Sequence, residues 1–140
     1  AEAGLALRFP PGHPFVLAEQ ERWRRCAETG GLWLAIDGGV AAGFAALEPL
    51  DGLTHLEQLS VRRAFGRRGL GAALLRRAIA QAAGALTLTT YAHVPWNAPW
   101  YARMGFRVLD EADLGPGLRA RMTEERAALP APEHRVAMRR

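Results

Sequence analysis

The sequence predicts one α/β domain: a mixed, twisted sheet, antiparallel in its first strands, parallel in its middle, and flanked by helices. Three observations predict it. Residues 32–61 read as three consecutive strands separated by Asp37-Gly38-Gly39 and by Pro49-Leu50-Asp51-Gly52, a meander. Between residues 53 and 92 a strand, a glycine-bearing loop, an amphipathic helix and a threonine-rich strand follow one another, and a strand–helix–strand unit of that size implies a parallel pair. At 140 residues, 49% of them apolar and 23% charged, the chain suits a single globular core.

Taken in order, residues 15–27 (FVLAEQERWRRCA) predict a helix with Leu17, Trp23 and Cys26 on one face, closed by Thr29-Gly30-Gly31. Residues 32–36 and 40–47 predict the hairpin strands. Residues 53–61 alternate Leu53, His55, Glu57, Leu59 and Val61 on one face with Thr54, Leu56, Gln58 and Ser60 on the other. A helix is expected over 70–83, where Leu70, Leu74, Leu75, Ala78, Ile79 and Ala82 form a stripe and Arg76, Arg77 and Gln81 face outward. Residues 85–92 predict a strand, 95–104 a short helix, 106–109 a strand, 118–129 a helix and 134–138 a last strand. No opening strand stands out in residues 1–30. Either it is missing, or residues 5–9 (LALRF) take its part.

The loop between residues 61 and 70 carries the chemistry. Glycines at the mouth of a helix leave backbone N–H groups pointing at an anion, and the helix dipole favours negative charge there. Arg67 and Arg68 add mobile positive charge, so a phosphate-bearing ligand is expected. The loop is not a Walker phosphate loop, since no Lys-Ser or Lys-Thr pair follows its glycines. It is not a dinucleotide fingerprint either, because the third glycine position after Gly69-Leu70-Gly71 holds Leu74. Alone, it also reads as a turn with solvated arginines.

Charge and composition narrow the classes. The net charge is +4, carried by arginine without a single lysine. The arginines are scattered rather than drawn into a basic stripe with interleaved aromatics, which ranks a polyanionic cofactor ahead of nucleic acid. Cys26 is the only cysteine, so no intramolecular disulfide or cysteine-based zinc site forms. No apolar run approaches the ~18 residues of a membrane span and no signal pattern opens the chain. A cytoplasmic protein, with neither metal nor membrane partner, is the expectation.

A second constellation, Pro99-Trp100-Tyr101-Ala102-Arg103-Met104-Gly105-Phe106, is by itself as readily core as catalytic. Together the two motifs resemble the GNAT superfamily of acetyl-CoA-dependent N-acetyltransferases. Gly69, Leu70, Gly71 and Ala72 match the core of that family's Gln/Arg-x-x-Gly-x-Gly/Ala loop, while Gly66 stands where glutamine or arginine is usual. Tyr101 to Phe106 is similar to the family's Tyr-x-x-hydrophobic-Gly-Phe signature.

The resemblance implies a role for each residue. The backbone of Leu59, Ser60 and Val61 meets the pantetheine arm of acetyl-CoA. Arg67, Arg68, Gly69, Leu70, Gly71 and Ala72 hold the pyrophosphate, the arginines standing in for the side chain that Gly66 lacks. Tyr101 takes the place of the general acid that protonates the departing thiolate. Asn97 is a cofactor contact, although it precedes Tyr101 by fewer residues than the asparagine many members use. A base must free the amine of its proton. His55 matches the position of a glutamate base in some members, and Glu57 lies one pleat nearer the loop; otherwise they read as a surface histidine and an ion pair with arginine. His93 is a weaker candidate. Tyr91, Trp96, Asn97 and Trp100 either wall an acceptor pocket or fill the core.

The implied activity is acetyl transfer from acetyl-CoA to a primary amine, small or protein-borne, by direct attack in a ternary complex. The alternative is a non-catalytic acyl-CoA-binding domain. Family members often pair, which makes a homodimer an expectation.

Overall fold

A computed structural model describes residues 14–66, 69–82 and 84–140. Residues 5–9, the Leu17 side chain, Arg67, Arg68 and Ala83 therefore lie outside the described residues. The described strands form one mixed six-stranded sheet, order β1-β2-β3-β4-β6-β5, flanked by helices. The chain divides into two compact units, one drawn from Ala1–Glu48 and Leu56–Gln81, the other from Pro49–His55 and Ala82–Arg140.

In the first unit, α1 (Pro14–Glu28) ends where the Gly31 N–H donates to the Cys26 carbonyl at 2.7 Å. β1 (Leu32–Asp37) and β2 (Val40–Leu50) pair antiparallel from Leu32↔Ala46 to Asp37↔Val40, with a bulge between Ala35 and Ile36. The turn between them is Gly38-Gly39, both at positive φ, as a two-residue hairpin of this hand requires. β3 (Leu53–Val61) approaches β2 so closely that a Cβ on Gly43 would stand 2.5 Å from the Ser60 carbonyl oxygen. Only glycine fits there. α2 (Leu70–Gln81) buries Gly71, Leu74, Leu75 and Ala78, and leaves Arg76, Arg77 and Gln81 outside as its 3.6-residue stripe predicts. Cys26, Ala42, Ala45, Ala46, Leu47 and Leu59 complete this core.

The second unit is built on β4 (Leu86–Tyr91). Its parallel ladder with β3 consists of Thr54↔Leu86 and His55↔Thr87. β6 (Arg135–Arg139) pairs antiparallel with β4 from Thr87↔Arg139 to Tyr91↔Arg135, and β5 (Arg107–Val108) pairs with the outer side of β6. The last strand thus inserts between two earlier ones. α3 (Ala98–Arg103) and α4 (Pro116–Ala128) complete the unit. Leu109, Leu114, Leu118, Met122 and Ala137 form its core with Leu50 packed against them.

Several boundaries differ from expectation: α3 begins at Ala98 rather than at residue 95, α2 ends at Gln81 rather than at residue 83, and three further differences have a plain cause. β2 runs on through Pro49-Leu50, and the turn is confined to Asp51-Gly52. Pro49 lies past the last β1 pair at Ala46, where its missing N–H costs no bond with β1, and Leu50 is held by the core. α4 begins at Pro116 rather than Leu118, because the Asp51 carboxylate accepts from the Gly117 and Leu118 N–H groups at 2.7 and 2.9 Å. The strand expected over 106–109 shrinks to two residues: the Phe106 N–H turns back to the Tyr101 carbonyl at 3.1 Å, while Leu109, buried, still donates to the Ala137 carbonyl of β6 at 2.8 Å. Among the described residues no helix is long and apolar enough to cross a membrane, and no cluster of three or more His, Cys, Asp or Glu could hold a metal.

Candidate active site

The loop between β3 and α2 is the candidate anion-binding element of the first unit. β3 ends with Leu59 and Val61 buried and Ser60 half-buried, and the Arg62 N–H ties the chain to the Ala42 carbonyl at 2.7 Å. A 3₁₀ turn, Arg63–Phe65, follows, and Gly66 is extended at φ −64°, a conformation any residue adopts. Gly69 is different. At φ +75° it sits in the left-handed region that other residues rarely enter, and from there the chain turns directly into α2. The Ala73 N–H closes the first turn on the Gly69 carbonyl at 3.0 Å, so the peptide N–H groups ahead of it have no acceptor inside the helix. The first turn carries no acidic residue. Amide donors and the dipole favour an anion, and Arg63 in the same loop is exposed.

The two base candidates have separate partners. His55 is not on the strand surface: it is 1% exposed, and its Nδ1 lies 2.8 Å from Thr87 Oγ1, its opposite number in the parallel ladder. Glu57 forms the ion pair with arginine that was its alternative expectation, with Oε1 3.8 Å from Arg22 Nη1 of α1 and its own side chain 2% exposed. Sequence reasoning missed Thr87, and for Glu57 it offered an arginine without saying which. Thr87 was visible only as one of several strand threonines, and Arg22 as one of three arginines in α1.

Asn97 and Tyr101 belong to the second unit. Tyr101 is buried, edge-on to Trp100 and Phe106, and its N–H donates to the Asn97 carbonyl at 2.9 Å. Burial pushes its phenol far above the ordinary value, so the hydroxyl keeps its proton across the working pH range. The Asn97 side chain is also buried, and its Oδ1 has no hydrogen-bond partner. An acceptor left unsatisfied in the interior costs about 1–3 kcal/mol, a debt that a bound amide donor removes.

Of the remaining aromatic residues, Tyr91 belongs to the core: its hydroxyl donates to the Pro130 carbonyl at 2.7 Å and the Arg135 guanidinium covers its ring. Trp100 is half-buried and Trp96 exposed. His93 is exposed and stacks on His134, with ring centroids 4.1 Å apart.

The order of these elements, with a glycine-opened helix between β3 and β4 and a Tyr-x-x-Met-Gly-Phe turn after β4, has a match among known families. The Acetyltransferase (GNAT) family model aligns with residues 5–106, about three quarters of the chain. This chain belongs to the GNAT acetyltransferase family.

Solved structures agree on the GNAT fold. An acetyltransferase from Streptococcus agalactiae is 16% identical, with a TM-score of 0.65 over 89% of this chain and 77% of that one. The ribosomal-protein-S18-alanine N-acetyltransferase from Escherichia coli is 21% identical, with a TM-score of 0.59 over 94% and 77%. The N-acetylglutamate synthase from Neisseria gonorrhoeae, complexed with coenzyme A and N-acetyl-glutamate, is 18% identical, with a TM-score of 0.62 over 91% of this chain. This GNAT chain spans only 33% of that synthase. At such identities the likeness shows the fold alone. The left-handed Gly69 and the orphaned Asn97 Oδ1 fit coenzyme A chemistry, the one offering amide donors to a pyrophosphate and the other an acceptor to an amide.

Proposed function

We propose that this GNAT-family acetyltransferase moves an acetyl group from acetyl-CoA to a primary amine by direct attack within a ternary complex. The observation that carries the proposal is the backbone at Gly69, in a chain the family model matches across both motifs. Acetyl-CoA supplies an acetyl thioester already activated toward an amine.

The chain's own residues do the rest. Peptide N–H groups of Gly69, Leu70, Gly71 and Ala72 bind the pyrophosphate, with Arg67 and Arg68 adding charge. Backbone groups of Leu59, Ser60 and Val61 line the pantetheine arm, and the Asn97 Oδ1 accepts from an amide. Tyr101, protonated throughout the working pH range, donates its hydroxyl proton toward the departing sulfur. Glu57 takes the amine's proton through a water; His55, hydrogen-bonded to Thr87, is the other candidate for this role. No nucleophile is needed: Cys26 is fully buried at the end of α1.

Isothermal titration with acetyl-CoA should show binding well below 1 mM, and a transfer screen with pooled amines should release free coenzyme A only when an acceptor is present. Absence of binding would sink the proposal. Binding without transfer to any amine would instead establish the acyl-CoA-binding domain.

A further inference from the structure

A second pocket lies in the other unit, beside the first residues of β4. A pocket of about 190 Å³ is lined by Leu50, Leu53, Leu109 and Leu118, with Thr87 on its wall and Asp51, Asp113 and Arg139 among its polar groups. Thr87 is the second residue of β4, some four residues or about 13 Å of strand before Tyr91.

The charges here are unusual in what they lack. Asp51 is committed, since both carboxylate oxygens accept from the first turn of α4. Asp113 and Arg139 line the same pocket with opposite charges, yet among the described residues neither forms an ion pair. Arg139 also stands directly opposite Arg107 in the β5–β6 ladder, where cross-strand partners share a face and like charges repel. An anion between them relieves that repulsion, which is a reason for a carboxylate independent of the cavity. The walls are leucines, the acid is separate from the base, and the volume is that of one small molecule.

We infer that this pocket binds a small zwitterion, an amino acid with an apolar side chain. Arg139, seconded by Arg107, holds the carboxylate; Asp113 holds the ammonium; the leucines take the side chain. None of its lining residues is among those proposed for acetyl transfer, although Thr87 carries the hydrogen bond to His55.

L-leucine is the probe. Titrated into the 140-residue chain, it should bind with a millimolar or lower Kd. 4-Methylpentanoate and isopentylamine, each with one of the two charges, should bind at least about tenfold more weakly. Arg139→Gln and Asp113→Asn change exposed side chains and should fold normally, and each should weaken leucine about tenfold while leaving acetyl-CoA affinity unchanged. The inference is overturned if leucine gives no heat up to about 20 mM. It is equally overturned if either single-charge analogue binds as well, or if neither substitution weakens binding. The analogue comparison needs no variant, so it stands even if a substitution disturbs folding.

Discussion

Tyr101 illustrates how one residue can be read from a motif and yet take its chemistry from its surroundings. The Tyr-x-x-Met-Gly-Phe pattern singles it out, but burial is what holds its proton in place. A thiolate of pKa near ~8.5 is a weaker base than the phenolate such a tyrosine leaves behind, so full proton transfer is uphill, and the hydroxyl helps by donating a hydrogen bond to the sulfur as charge builds on it. Tyr101→Phe should therefore lower kcat about 100-fold and leave the acetyl-CoA Kd within about twofold; steady-state kinetics set beside calorimetry check both halves, and an unchanged kcat removes Tyr101 from the chemistry. Gly69 is the second residue whose role is conformational. Gly69→Ala should cost about 1–2 kcal/mol in the left-handed region and weaken acetyl-CoA binding as the loop shifts to relieve it. Calorimetry against Gly66→Ala, at an ordinary φ, isolates the effect.

Among the elements, α4 shows a helix start written in another part of the chain. Asp51 sits at φ +54°, a strained position for a residue with a side chain, and from there both oxygens reach the Gly117 and Leu118 N–H groups. A turn residue between β2 and β3 thus acts as the N-cap of a helix 66 positions later. Asp51→Ala should destabilise the fold by about 1–2 kcal/mol, measured by urea unfolding, and Asp51→Asn by less, because one acceptor survives. Farther along α4, Glu125 accepts from Arg135 at 2.7 Å, with both side chains under 10% exposed. Arg135 in turn reaches Thr89 across the β4–β6 ladder at 3.1 Å. That network is why the last strand inserts beside β4 with a defined register.

On the scale of the whole molecule, the two tyrosines set the alkaline limit of stability. Tyr101 is raised by burial; Tyr91 is raised by burial too, with Arg135 opposing part of the effect. Below about pH 10 the phenols are protonated in both folded and unfolded chains, and stability does not depend on them. Above it the unfolded phenols ionise while the folded ones resist, so stability falls as pH rises. Thermal melts from pH 8 to 11 should be flat to about pH 10 and then decline, and phenolate absorbance should appear together with unfolding rather than before it. A phenolate signal at about pH 10 from a still-folded chain would refute this.

Local patterns were legible in the sequence because they depend on near neighbours. The meander, the stripe of α2, the parallel β3–β4 pair and the glycine loop follow from side-chain period, turn residues and crossover length. The same is true of Tyr101, whose signature is short and contiguous. Tertiary structure alone decided which distant groups meet: His55 with Thr87, Glu57 with Arg22, Asp51 with α4, β6 between β4 and β5. A histidine alternating with leucines looks the same on a solvated strand as on a buried one, and a carboxylate in a strand does not announce its arginine. Those outcomes turn on long-range packing, in which the burial of apolar surface, and not any local propensity, chooses the partners.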